Sequence, residues 1–422
     1  MKKILLIISI LSFNLFGYYS SDAFIDLLVQ SNQLRVRTDR FGAVFGSESI
    51  RGAVGLTGAN NLSGIIIHNV DDYTALNRAK IALDQLVPAV LGGIGYQMNI
   101  FGIAFGYEYK WGSPTYMVHT PILSMTALNN NFRINIPVSV GIGQQSYYKR
   151  DDSLKGSMVI STGIEARYYF NMEYFQHLRF YFNYGNATIK EVNSPSTNFT
   201  QQSVGFQLRA YFNYDFSSYN MKLTPIIRFQ FDMALATRYN NIEKSVNIVD
   251  SYSITAKGFA PSGGARIGGV SVSSGANADV NSGELTGGYI ASIPSPSSYY
   301  AEQPYRIGVA FPLGFRAISP SGTIELYVEP ALSLTIVNAK NIYSYIDIQS
   351  GSYERRKSFF YTLGYVVYGE LYIRPIPRLE WYTELQTGGA TVAGDLANTS
   401  SGGSTSLVFN ASTGITWYFY EI

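Results

Sequence analysis

Seven arginines stand singly among apolar neighbours: Arg133, Arg167, Arg179, Arg209, Arg228, Arg306 and Arg316. Further along, Glu325, Glu329, Glu370, Glu380 and Glu384 do the same with the opposite charge. In an extended strand successive side chains point to opposite faces, so each charge shares a face with other polar groups and turns hydrocarbon to the other. Guanidinium groups stay charged at any biological pH. If the polar faces enclose water, arginines on one wall and carboxylates on the other would set up a transverse field that sorts solutes by charge. The same residues could instead pair across neighbouring strands and simply fill an interior. Both readings stand at this point.

Other chemistry has little to build on. The three histidines, His68, His119 and His177, are not followed by the Glu-x-x-His of a helical zinc protease. There is no phosphate-binding loop pattern and no G-x-S-x-G elbow. His177 lies two residues before Arg179 on the polar face, which suits a hydrogen-bonded interior histidine better than a catalytic one. Asp279-Val280-Asn281-Ser282-Gly283-Glu284 has part of a calcium loop's spacing. Its glycine is one place early and the closing glutamate is missing, so a polar loop is the simpler reading. The sequence therefore predicts no catalytic residues, no metal ligands, no cofactor and no enzyme activity.

Composition narrows the setting. Of 422 residues only 14% are charged, while 46% are hydrophobic, with 34 Tyr and 25 Phe. A soluble protein usually carries about a quarter charged residues. Cysteine is absent, which excludes disulfides, thiolate metal sites and a lipid-anchored cysteine. Residues 1–17 read as a signal peptide: Lys2 and Lys3, then the short apolar run Ile4 to Phe16, then the small Gly17. An N-terminal membrane anchor is the alternative, but the run is too short to span. Without Lys2 and Lys3 the chain has 29 basic residues (31 less two) against 29 acidic ones. That balance argues against nucleic acid as a partner.

The elements that must carry the charges are long strands. Phe132, Ile134, Ile136, Val138, Val140 and Ile142 alternate with Arg133, Asn135, Ser139 and Gly141. Val204, Phe206, Leu208, Ala210 and Phe212 alternate with Gln207, Arg209 and Asn213. The pattern recurs through 157–239 and again through 303–421, with aromatic clusters at strand ends such as Tyr168-Tyr169-Phe170 and Trp417-Tyr418-Phe419-Tyr420. Such strands exceed the usual five or six residues and match the roughly ten tilted residues that cross a bilayer. Connections alternate between tight, as at Asn171-Met172-Glu173, Ser319-Pro320-Ser321-Gly322 and Pro375-Ile376-Pro377, and long, as at 144–156, 186–199, 240–302, 338–357 and 389–404. Short turns on one side and long loops on the other belong to transmembrane barrels rather than to a secreted soluble β-sandwich.

The fold expected is an all-β, antiparallel transmembrane barrel of a bacterial outer membrane, laid over 91–422 after an N-terminal segment, 18–90. Thirteen strands are readable from residue 91 onward. An even count then requires 14, or 16 if residues 33–57 supply three. Leu76, Ala79, Leu83, Leu86, Val87 and Val90 recur at helical spacing, which predicts one short helix over 72–90, either in the lumen, capping a mouth or packed in a loop.

The stretch Asn14-Leu15-Phe16-Gly17-Tyr18-Tyr19, then Phe24-Ile25-Asp26-Leu27-Leu28, Asn32 to Gly42 and Ile50-Arg51-Gly52 resembles the N-terminus of the variable surface proteins of intestinal spirochaetes. The resemblance covers about fifty residues. It implies an abundant, surface-exposed outer-membrane protein with a role in antigenic variation, and it carries no catalytic residues. Three functions follow as alternatives: porin-like passive diffusion, loop display as an antigen or adhesin, and an outer-membrane enzyme. The partners expected are outer-membrane lipid, host antibodies or surface molecules at the external loops, and a second copy in a homo-oligomer.

With the long loops outside, protease added to intact cells should cut within Ser262 to Ser297 and spare Pro375 to Pro377. Cleavage at the tight turn alone would reverse the orientation.

Overall fold

Alternating residues become strands wherever the chain can pair. In the computed structural model the residues described are 21, 23–37, 40–57, 89–112, 116–143, 156, 158–190, 198–239, 299–302, 305–338, 341–347, 352–356, 360–394 and 405–419. In chain order the strands are β1 (Gln33–Arg37), β2 (Arg40–Gly46), β3 (Ile50–Thr57), β4 (Ala89–Gln97), β5 (Phe101–Gly112) and β6 (Tyr116–Ala127). Next come β7 (Phe132–Gly143), β8 (Met158–Tyr169), β9 (Phe175–Lys190), β10 (Asn198–Phe212), its short continuation β11 (Tyr214–Phe216), and β12 (Met221–Tyr239). The rest are β13 (Tyr299–Glu302), β14 (Tyr305–Ile318), β15 (Ile324–Asn338), β16 (Asn341–Asp347), β17 (Ser352–Arg356), β18 (Phe360–Ile376), β19 (Leu379–Gly394) and β20 (Thr405–Phe419).

Each barrel strand pairs antiparallel with the next in sequence, and β20 returns to pair with β1 from Leu34↔Phe419 to Arg37↔Thr416. With β11 counted as part of β10, and β13, β16 and β17 set aside, 16 strands close the cylinder. The leading expectation of 14 is therefore corrected to its alternative. Residues 33–57 supply three strands, of five, seven and eight residues. They are too short and too rich in glycine to show a clear alternation. The barrel thus begins at Gln33 rather than at 91. The loops 240–302 and 338–357 are not wholly irregular either, because β13, β16 and β17 pair into a separate three-stranded sheet.

The signal sequence, His68, Asp279–Glu284 and most of the 72–90 segment lie outside the described residues. Ala89 and Val90, assigned to the expected helix, are strand. Among the described residues the helical pieces are two 3-10 turns, Ala23–Asp26 and Ser217–Tyr219. No helix there is long and apolar enough to cross a membrane.

The tight connections 47–49, 98–100, 128–131, 170–174, 217–220, 319–323 and 377–378 all lie at one end. Their sharpness uses left-handed backbone at Asn171 (φ 55°) and Gly322 (φ 72°), conformations that Asn and Gly adopt at little cost. Around this end the outer face carries exposed Tyr168, Tyr174, Tyr214, Phe216, Trp417 and Phe419, an aromatic girdle at the level of an interface. Above it the outer face is hydrocarbon: Ile94, Phe105, Leu208, Phe229, Phe311, Leu332, Leu363 and Ile415 are all exposed. That belt suits lipid, where an exposed apolar side chain carries no penalty.

Leu208 is 42% exposed while the adjacent Arg209 is 5% exposed. Leu208→Arg should cost about 2–4 kcal/mol if the site lies near the bilayer midplane, read from denaturant midpoints in lipid. Spin labels along 204–213 should alternate between apolar and aqueous quencher access. Uniform aqueous access would contradict the barrel.

Candidate functional site: a charged and aromatic inner wall

The inner face has three regions, each set by what alternate residues leave pointing inward. On β2 to β6 most inward positions are small or apolar, among them Val44, Ala53, Leu91, Gly93, Gly95, Ala104, Gly106 and Ile122. Such residues leave a hollow, and Ser21 together with residues 23–30 fills it. Phe24, Leu27 and Leu28 are buried against Val44, Ala53, Leu91, Ala104 and Ile122 in one apolar cluster. Glycine is required for this. A Cβ at Gly106 would stand 2.7 Å from the Phe24 ring, and one at Gly95 would stand 2.6 Å from Leu28 Cδ2. Polar contacts complete the docking. The Ser21 N–H donates to Glu108 Oε2 (2.8 Å), and Asn135 Nδ2 donates to the Ser21 carbonyl (2.8 Å).

The second region is basic. Arg133 on β7 stands opposite Arg167 on β8, Arg167 opposite Arg179 on β9, Arg179 opposite Arg209 on β10, and Arg209 opposite Arg228 on β12. Five arginines thus form one cross-strand row. Asp26, carried in by the N-terminal segment, bridges its first two members, at 2.6 Å from Arg133 Nη1 and 2.9 Å from Arg167 Nη1. Glu165 adds a second carboxylate 2.5 Å from Arg167 Nε. Aromatic rings lie against the guanidinium groups: Arg133 is 4.6 Å over Tyr169, Arg179 4.8 Å over Tyr211 and Arg209 4.5 Å over Tyr181. His177 stacks on Tyr211 at 4.1 Å and accepts from Arg179 Nε at 3.0 Å, so it serves the row as a packed partner.

The third region, on β15, β18, β19, β20 and β1, mixes carboxylates with tyrosines. Glu325 pairs with Arg316 and, at 2.8 Å, with Arg374. Arg374 also reaches Glu380 at 2.8 Å, and Arg35 approaches Glu380 at 3.6 Å. The Tyr418 hydroxyl donates to Glu380 (2.9 Å), and Tyr372 to Glu370 (3.0 Å). Tyr327 donates to Glu329, and Tyr368 donates to Glu370. Glu384 is buried beside them, opposite Glu370.

The arginines read from the sequence therefore separate. Arg133, Arg167, Arg179, Arg209 and Arg228 form the row, while Arg316 joins the glutamates. Arg306 is described only as a backbone position, opposite Asp232. Glu325, Glu329, Glu370, Glu380 and Glu384 come together on adjacent strands. Sequence reasoning did not single out Arg35 and Arg374, which offset the acidic wall, or Asp26 and Glu165, which offset the basic one. It also missed the docked segment. The small inward residues of β4 and β5 were its signal, since a wall without bulk must be filled by something else.

A closed 16-stranded barrel with a hydrocarbon outer face, an aromatic girdle and a charged inner wall defines a β-barrel protein of the outer membrane. Residues 2–418 match the family model described as Serpulina hyodysenteriae variable surface protein, and the chain belongs to that family. It is a surface protein of the outer membrane. No curated protein matches the sequence. Among solved structures it is similar in outline to a bacterial polysaccharide outer membrane secretin (10% identity, 90% of this chain and 89% of that one, TM-score 0.40). It is also similar to OmpT, an outer membrane protein of Vibrio cholerae (7% identity, 93% and 99%, TM-score 0.33). A third is Wzi of Escherichia coli, an outer membrane protein involved in group 1 capsule assembly and a carbohydrate-binding β-barrel (11% identity, 95% and 87%, TM-score 0.28).

Burial works to raise the Asp26 pKa, but Arg167 and Arg133 outweigh it and hold the carboxyl below its ordinary value. A lowered folded pKa gives docking stability that is complete above the ordinary value of about 4 and is lost as pH falls through the lowered one. Hydrogen-exchange protection of residues 21–30 should therefore stay constant from pH 7 to about 4 and fall only below that. Gly106→Leu should expel Phe24, and limited proteolysis of the folded variant should then cut within 21–30.

Proposed function

We propose that this surface protein is a porin-like channel for passive diffusion of small solutes, and that its external loops are what host antibodies and host surface molecules meet. The observation that carries the transport reading is the charged inner wall, with an arginine row on β7 to β12 and a glutamate and tyrosine cluster on β15 to β19. Charges lining water between low-dielectric walls act on passing ions far more strongly than charges on an open surface. The local pairs around Glu325 and Asp26 weaken the field between the walls but leave each wall with its own sign in excess. On this reading the protein catalyses no reaction, which hydrolase assays on the folded chain would check.

Display without transport is the second reading. It is favoured by the separate sheet that β13, β16 and β17 build from the loops at the end away from the tight turns.

Planar-bilayer recordings decide between them. The parent should form channels, and replacing Arg167, Arg209 and Arg228 with Ser should raise cation over anion selectivity, seen as a shifted reversal potential under a salt gradient. An unchanged reversal potential in the folded triple variant would remove these arginines from the conducting path. A parent without channel activity would leave display.

A further inference from the structure

Like charges set directly opposite across strands destabilise a sheet, yet this barrel aligns arginines on five neighbouring strands, from Arg133 to Arg228. Partner positions lie about 5 Å apart, so the row runs roughly 20 Å over its four steps. Sheet stability gives no reason for the arrangement. An oxyanion does, because guanidinium groups at that spacing can each donate to a different oxygen of one solute.

The row already holds one such group. The Asp26 carboxylate comes from the docked N-terminal segment, not from the wall, and it bridges Arg133 and Arg167 at 2.6 and 2.9 Å. It sits where a carboxylate arriving through the lumen would sit. Beyond it, Arg179 lies 4.8 Å over Tyr211 and Arg209 lies 4.5 Å over Tyr181. These rings, with the bonds from Arg179 Nε to His177 and from Arg209 Nε to Gln207, restrict the two side chains before an anion arrives, so less side-chain freedom is lost on binding. Gln207 and Gln230, bonded to each other at 3.0 Å, lie on the adjacent rung and add amide groups alongside. Arg209 and Arg228 are largely buried in the wall, so their charge acts on the lumen through a medium of lower dielectric than water.

We propose that the arginine row is a binding site for small polyanionic solutes, those carrying two or more carboxylate or phosphate groups, with Asp26 closing its end nearer the tight turns. The inference deepens the channel reading, since such solutes would reach the row through the lumen. Charge count decides affinity here. A trivalent anion spans several arginines where a monovalent one meets a single guanidinium, and binding weakens with salt.

The test uses the full-length chain folded in detergent, with citrate, inorganic pyrophosphate, acetate and glucose as probes in titration calorimetry. Citrate or pyrophosphate should bind at least tenfold more tightly than acetate, glucose should not bind, and raised salt should weaken the binding. The two probes also separate carboxylate from phosphate preference. The double variant Arg179→Ser, Arg209→Ser should lose binding at least tenfold. Arg179→Lys with Arg209→Lys, which keeps the charges in case the serine variant fails to fold, should retain part of it. Equal binding of citrate and acetate, or unchanged citrate and pyrophosphate affinity in a folded double variant, would overturn the proposal. Calorimetry does not need conduction. Binding without channel activity would uphold the row and remove the channel reading, whereas conduction without binding would do the reverse.

Discussion

Every barrel residue depends on the pairing of Leu34 to Arg37 with Thr416 to Phe419. In hydrocarbon an unpaired backbone N–H or C=O costs several kcal/mol, because no water is present to satisfy it. An open sheet of sixteen strands would expose two such edges. Closing the first strand on the last removes both, and does so with a five-residue strand, β1, whose other neighbour is the seven-residue β2. The seam thus joins the shortest strand of the barrel, β1, to the fifteen-residue β20, and β1 leads on to the lumen wall that carries the least side-chain bulk. The N-terminal segment packs on that neighbouring wall, β2 to β6, rather than on the seam.

That packing follows from the same small residues. A 16-stranded cylinder is wide enough to hold water, and its glycine- and alanine-lined side offers few groups that water can bond. Phe24, Leu27 and Leu28 cover that side with hydrocarbon, while Ser21 and Asp26 meet polar partners around it. Among the described residues this apolar cluster lies inside the barrel, on one wall, and the arginine row and the glutamates lie on the others. Lipid takes the part that a core plays for a soluble sheet's other face.

Charges on the remaining wall are organised by neighbours rather than by distance across the lumen. Arg374 links Glu325 to Glu380, with Tyr418 and Arg35 closing around the same carboxylate. Buried carboxylates need such partners, since removing one leaves an uncompensated charge that costs about 3–5 kcal/mol. On the basic side the rings of Tyr169, Tyr181 and Tyr211 do part of this work. A simple two-wall dipole is therefore only the outline, and the near-field pattern is a stacked arginine row facing a tyrosine-bonded acidic cluster.

What the sequence determined by itself was the face of each residue. Alternation is a local property with a period of two, so Leu208 out and Arg209 in, or Ile324 out and Glu325 in, could be read without knowing any partner. Strand length and the sorting of tight turns from long loops were legible for the same reason, and they set the class of fold. Which strands meet, and in what register, is decided between residues far apart in the chain, and only the folded barrel shows it. The arginine row exists because four successive registers happen to align, and a slip of two residues in any of them would break the row while leaving every face unchanged. The three strands of residues 33–57 are too short to declare themselves. Asp26, two residues after Phe24 in an apolar run, gives no local sign that its partners are Arg133 and Arg167. Its position follows from the hollow that Gly93, Gly95 and Gly106 leave in a distant wall, and a hollow exists only once the barrel has closed.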